Sequence, residues 1–258
     1  MLVNIIYGTN ENNSDNSWIN DIPIMHRNIF RGNSLGNTVT AAQLAAISDG
    51  SFDDLYIGDY WTIPVTINGT EISVKWRIAD MDYFFSETKH HLVIVPDEGL
   101  YTAAFYSSSS YPGYNYLVSL MHTTNLDTAR TVINTAFPDM VLSHDEVFGS
   151  GSSAIQLATV TVEIMDSVMI LGNIMMRTSS YIGVAHDLGV TQFALFRMAP
   201  KYRSISDSNT ERLYWARSEA IFNSNVIIHS ATGIGGAEAN RSDIYVRPYF
   251  LLGDASNI

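Results

Sequence analysis

One dipeptide limits what this chain can fold into more than any other feature. Asn68-Gly69 stands between residues 61–67 and 72–78, two runs rich in β-branched and aromatic side chains. Asn and Gly both tolerate positive φ at the centre of a two-residue turn, so the spacing predicts an antiparallel hairpin. Strand-like runs recur through the rest of the chain. HLVIVP at 91–96 is a short, uninterrupted apolar stretch of the kind buried on both faces. FALFRM, RLYWARS, NVIIHS and DIYVRPYF, all after residue 192, read as further short strands separated by loops of Ser, Asn and Gly.

Helices are few. Thr40 and Gln43 form a T-x-x-Q capping box ahead of the helix-favouring residues 41–47, with Gly50 just past the end. Residues 125–137 predict a second helix, capped by Thr124, with Asp127 in the first turn and Pro138 beyond the end. A third is expected over 153–171. There Leu157, Val160, Ile164, Val168 and Leu171 fall on one helical stripe, Met165 and Met169 widen it as core filler, and Gly172 ends it. Residues 107–116 and 143–153 read as loops. Few helices, many short and mainly antiparallel strands, and no βαβ rhythm predict an α+β fold. Residues 1–30 are set apart as an N-terminal docking or anchoring segment, with 31–258 as one domain. The polar run 9–17 (TNENNSDNS) is followed by Trp18, Ile22, Ile24 and Ile29. Such a segment docks on its own domain or on a neighbouring subunit.

Composition removes several function classes. With no cysteine, a disulfide scaffold, a thiolate zinc site, an iron–sulfur cluster and a cysteine nucleophile are excluded. The net charge is -12, and the only lysines are Lys75, Lys89 and Lys201, which argues against nucleic-acid binding. No apolar run approaches the length of about 18 residues that a membrane helix needs, so no membrane insertion is expected. No cation precedes Arg27 and the apolar start is short, so a secretion signal is not expected either. The chain is expected to fold in a host cytoplasm.

The chemistry-bearing residues converge on no known motif. The histidines are His26, His90, His91, His122, His144, His186 and His229, with no pair at metal-binding spacing. His90 and His91 are adjacent, so an extended chain points them to opposite faces. His144-Asp145-Glu146 is a polar triplet expected in a Gly/Ser loop. Asp80 and Asp82 are expected to share one face of an extended segment, but apolar Tyr83-Phe84-Phe85 follows in place of a calcium loop. TGIGGA at 232–237 lacks the Lys-Ser/Thr of a phosphate loop, and no G-x-S-x-G occurs. Arg217, Arg241 and Arg247 are expected to pair with acids. No catalytic residue, metal or cofactor is predicted.

Several stretches together resemble a group of uncharacterised structural proteins from phages and prophages of Gram-positive bacteria. They are GNSLGNTVTAAQLAAISDGSFDDLYIGDYWTI, VKWRIADMDYF, HHLVIVPD, TTNLDTARTVINTAF, RLYWARS and YVRPYF. The likeness spans roughly residues 30–250. The W-x-R-S and V-R-P-x-F close is similar to C-type-lectin-like folds of the formylglycine-generating-enzyme type, which phages use as display scaffolds. Tyr245 stands where that pattern has Gly before Val246, the cysteines of the oxidase are missing, and so is the lectin Glu-Pro-Asn signature.

The resemblance implies a C-type-lectin-like domain, with Leu213, Trp215, Val246 and Phe250 in the core and loops 204–210, 222–225 and 230–243 projecting outward. It implies a virion structural protein: a tail- or baseplate-associated host-binding module, or alternatively a capsid decoration or head-fibre protein. Expected partners are other virion proteins, further copies of the chain as a homo-oligomer (a trimer), and a host-surface glycan. The contact residues expected on these loops and their flanking strands are Asn209, Tyr214, Asn223, Asn225, His229, Asn240, Arg241 and Tyr249, with Tyr214, Trp215 or Tyr249 as a stacking ring. A host-surface carbohydrate hydrolase is the remaining alternative, with Asp80, Asp82 and Glu163 as its acids.

Overall fold

The Asn68-Gly69 turn forms, with φ of 51° and 77°. It joins β1 (Tyr60–Ile67) to β2 (Thr70–Met81), in register from Ile67↔Thr70 to Tyr60↔Arg77. Ahead of the hairpin, α1 (Ala41–Ser48) carries the complete Thr40–Gln43 capping box, and Gly50 has the left-handed φ of 73°. The computed structural model describes residues 26–84, 89–109, 116–150, 154–172, 191–207, 210–219, 226–229 and 234–256. Along β2, Ser73 and Lys75 face water, whereas every side chain from Trp76 to Met81 is buried. Both faces are therefore covered at that end of the strand.

β3 (Leu92–Pro96) is wholly buried beside β2, as its apolar run predicts. After β4 (Tyr101–Thr102), a π-turn at Met121–Asn125 leads into α2 (Leu126–Ala136). The expected Thr124 cap is absent: the helix begins after Asn125, which makes no side-chain cap bond, because the chain is already wound in the π-turn. β5 (Val141–Leu142) follows.

The helix expected over 153–171 does not form. Residues 144–150, expected within a loop, form β6 (His144–Ser150); in place of the helix lie β7 (Ala154–Val160) and β8 (Val162–Ile164), and only α3 (Ser167–Leu171) is helical. β-Branched residues dominate 155–164, and their stiff χ1 favours extended chain. Leu157, placed on the buried stripe by helical spacing, is instead 67% exposed. α3 starts where Asp166 accepts from Val168 N. The opposite correction applies to FALFRM, which is α4 (Ala194–Met198) and not a strand.

The remaining strands are β9 (Ile205–Asp207), β10 (Thr210–Arg212), β11 (Tyr214–Glu219), β12 (Val226–His229), β13 (Ile234–Ala237), β14 (Tyr245–Val246) and β15 (Pro248–Leu252). One sheet runs β1-β2-β3-β15-β5, with β8 also on β15; the second runs β13-β12-β11-β14-β4. Among the described strands, all pairings are antiparallel except β11 with β14. The fold is thus mixed α+β, with four α-helices among the described residues. The chain passes between the sheets at Arg247, which is fully buried and donates to the Pro96 and Arg203 carbonyls.

The core fills the space between α2 and the larger sheet and continues to the second sheet. Trp76 meets Phe137 and Phe250 edge to face at centroid distances of 5.6 and 5.9 Å, and those two rings lie tilted to each other at 5.0 Å. Trp215, Val246 and Phe250 are fully buried as expected, and Leu213 is half-buried.

Residues 26–36 form a strap along the open edge of the larger sheet. Parallel bridges Phe30↔Ile57 and Ser34↔Tyr60 hold it there. Arg27 reaches the fully buried Asp80 (Nε–Oδ1 2.6 Å), and Arg31 reaches the fully buried Asp59. So the described end of the N-terminal segment docks on its own domain; residues 1–25 lie outside the described residues.

Candidate functional site

Of the expected contact residues, Asn209, Asn223 and Asn225 lie outside the described residues. Asn240 and Arg241 are exposed, and Arg241 pairs with Asp243 at 2.5 Å. Tyr214, His229 and Tyr249 are buried, as is Trp215, so none of these rings is available to stack on a ligand. The reason is positional. Tyr214 and Tyr249 lie in strands that carry core on both faces, and His229 stacks on Tyr214 at 5.4 Å.

Tyr249 and His144 belong instead to a buried polar cluster. Tyr249 donates to Glu146 Oε2 at 2.5 Å, and Arg217 pairs with Glu146 and lies 3.8 Å from Asp166. Burial works to raise the Glu146 carboxyl, but the charge of Arg217 and the hydrogen bonds of His144 and Arg217 outweigh it and hold the group at about 2. Phe148 packs beside this cluster, with Arg217 4.8 Å above its ring and Tyr116 stacked on it at 5.7 Å.

Tyr116 in turn donates to Glu163 Oε2 at 2.5 Å. The other oxygen of Glu163 lies 3.0 Å from His122 Nδ1 and 3.2 Å from Arg130. The triplet 144–146 is therefore strand, not loop, because β7 pairs with it along its length. Its alternation puts His144 and Glu146 inward and Asp145 outward.

The three acids of the hydrolase reading do not converge. Asp80 serves Arg27 and the amides of Met81 and Ala194. Asp82, at φ 44°, bonds His90 Nδ1 at 2.8 Å and the His91 amide. Glu163 serves Tyr116, His122 and Arg130. The alternation that would place Asp80 and Asp82 on one face does not reach Asp82, because β2 ends at Met81 and Asp82 has a positive φ of 44°. Among the described residues, no group of three or more His, Asp or Glu could hold a metal ion. Of the three arginines expected to pair with acids, Arg217 and Arg241 do. Arg247 instead lies over Phe196 and Tyr214, 5.5 and 5.2 Å from the ring centroids.

The arrangement that stands out is on the larger sheet, where the buried Arg77 lies among half-buried rings and exposed lysines. Tyr60 and Arg77 are directly opposed across β1 and β2, on the face away from Trp61 and Trp76. The Arg77 guanidinium lies 4.7 Å from the Tyr60 ring centroid and 4.2 Å from that of Tyr202, which the turn Pro200–Arg203 brings over the sheet. Bonds to Asp97 and to the Gly58 carbonyl fix the guanidinium. Lys75 Nζ lies 5.1 Å from the Tyr60 ring and Lys201 Nζ lies 5.0 Å from the Tyr202 ring. At the far end, Phe30 is 6.0 Å from Tyr202 and 38% exposed.

Phe30 can sit there because residue 58 is glycine at φ 88°. A Cβ at that position would come within 2.2 Å of the ring. Lys75, Tyr60, Arg77, Tyr202 and Phe30 thus form one row, with Lys201 beside it. Sequence reasoning missed this row. The available signal was the alternation Lys75-Trp76-Arg77 opposite Tyr60; residues 201–202 arrive from far along the chain.

No family model, no curated protein and no solved structure matches this chain.

Proposed function

We propose that this protein is a structural component of a phage particle that presents a host-binding face at the tail or baseplate, on a C-type-lectin-like display scaffold. The row of cations and rings formed by Lys75, Tyr60, Arg77, Tyr202 and Phe30 carries the reading. Half-exposed aromatics flanked by cations suit saccharide and anion contact. Tyr60, Lys75 and Arg77 sit on strands, and Asp97 locks Arg77, so this part of the surface is preformed and little ordering is needed on binding. The binding face thus moves from the C-terminal loops to the β1–β2 face. The sequence likeness to phage structural proteins supports the particle assignment. In that setting the chain acts as a homo-oligomer among other virion proteins, since particle components follow particle symmetry.

Immunogold electron microscopy of particles with antibody to this chain tests the reading. Label at the tail tip is the expected result. Label over the head would make the protein a capsid decoration, and particles without label would overturn the virion assignment.

A further inference from the structure

The chain carries a net charge of -12 and three lysines, and two of the three flank this row. Lys75 and Lys201 are exposed and make no ion pair among the described residues, whereas Lys89 donates to the Asp254 carbonyl. The Tyr60 and Tyr202 hydroxyls have no hydrogen-bond partner among the described residues either. Arg77 contributes no net charge to a ligand, because Asp97 neutralises it. What the row offers is therefore one free ammonium group at the Tyr60 end and a second beside Tyr202, two free phenol hydroxyls, and the half-exposed ring of Phe30.

We infer that this row binds a sugar polymer bearing acid groups, phosphate or carboxylate, with Lys75 and Lys201 on the acids and Tyr60 and Tyr202 on the sugar hydroxyls. This rests on the host-binding reading above and adds the charge class of the ligand. Lysine suits such a ligand, because its ammonium is a compact charge on a flexible stem, able to follow acid groups along a chain. A neutral glycan would leave both ammonium groups unused. An acidic protein would leave the phenol rings without sugar-like polar faces to meet. Nucleic acid is held by neutralising many phosphates, and two ammonium groups with no basic run beside them are too few for it.

The full-length protein is titrated at low salt with four soluble probes of matched length: dextran phosphate, polygalacturonate, neutral dextran and oligodeoxythymidylate. One or both acidic sugar polymers should bind, weakening as salt rises through about 0.15 M. The double variant Lys75→Ala/Lys201→Ala should lose about tenfold in affinity. Lys75→Arg/Lys201→Arg should retain most of it. Both lysines are exposed, so both variants should keep the wild-type melting temperature.

Binding of neutral dextran as tight as that of its phosphate would overturn the acid requirement. Tighter binding of oligodeoxythymidylate would overturn the sugar. Undiminished binding by the alanine variant would remove the site from this row, and no binding by any probe would sink the inference. Tail-tip label with no acidic-sugar binding sinks this inference alone, whereas unlabelled particles sink the reading beneath it.

Discussion

His229 is 2% exposed, its ring lies on Tyr214, and its Nε2 meets no partner among the described residues. Burial, then the nearby charge of Arg247, hold its pKa down to about 4 from an ordinary 6.5. A depressed histidine contributes stability that is complete above the unfolded-state pKa and is lost as pH falls. The window here runs from about 6.5 to about 4, and the loss approaches about 3 kcal/mol at its acid end. Denaturant unfolding at a series of pH values should show that slope. His229→Phe keeps a ring on Tyr214 and should flatten it; an unchanged slope would assign the acid sensitivity elsewhere.

Glu146 is the second residue whose environment decides its effect. Glu146→Gln leaves the buried Arg217 with only the more distant Asp166 carboxylate, 3.8 Å away, for a loss of about 3 kcal/mol. Replacing both residues, as Glu146→Leu/Arg217→Met, should recover more than half of that by chemical denaturation. Failure to recover would mean that Tyr249 and His144 depend on the carboxylate as much as Arg217 does.

At the scale of elements, β7 gives the sharpest test. Leu157 is on its exposed face, so Leu157→Lys should change stability by no more than about 0.5 kcal/mol. A buried helical stripe would instead make that change one of the most costly in the chain.

The same contrast shows what the sequence made legible. Elements with local signals were read correctly: the capping box of α1, the Asn-Gly turn, and the apolar run of β3. Residues 155–164 carry apolar side chains that satisfy a helical stripe and a strand alternation together. Only pairing with residues 144–150 decides between them, and pairing is not a local property. FALFRM likewise becomes helix because Asp80, more than a hundred residues earlier, accepts the Ala194 amide at 2.9 Å. The candidate site was illegible for the same reason. Tyr60, Lys75 and Arg77 are neighbours through the hairpin, but Tyr202 and Phe30 arrive from opposite ends of the chain. The expected stacking rings Tyr214, Trp215 and Tyr249 failed because a closing strand covered on both faces hides its aromatics.

Across the whole molecule, the strap at 26–36 is a structural member and not an appendage. It supplies Arg27 to Asp80 and Arg31 to Asp59, both aspartates being fully buried. Asp80 also caps α4, so the strap, β2 and α4 share one carboxylate. Arg27→Met should cost about 3–5 kcal/mol, because it strands a buried anion. It should also raise hydrogen exchange in 194–198, which a purely local effect at residue 27 would leave unchanged. Adding Asp80→Asn should recover part of the stability.

β15 joins β3 on one side and both β5 and β8 on the other. It is therefore an interior strand of the larger sheet, yet it is translated after every strand it touches. Until residue 252 has left the ribosome, that sheet is three separate pieces, β1-β2-β3, β5 and β8, each with an edge that lacks its partner. The nascent chain must wait for β15 before the core can close, and a ribosome that stalls a few codons before it releases a protein with an open seam.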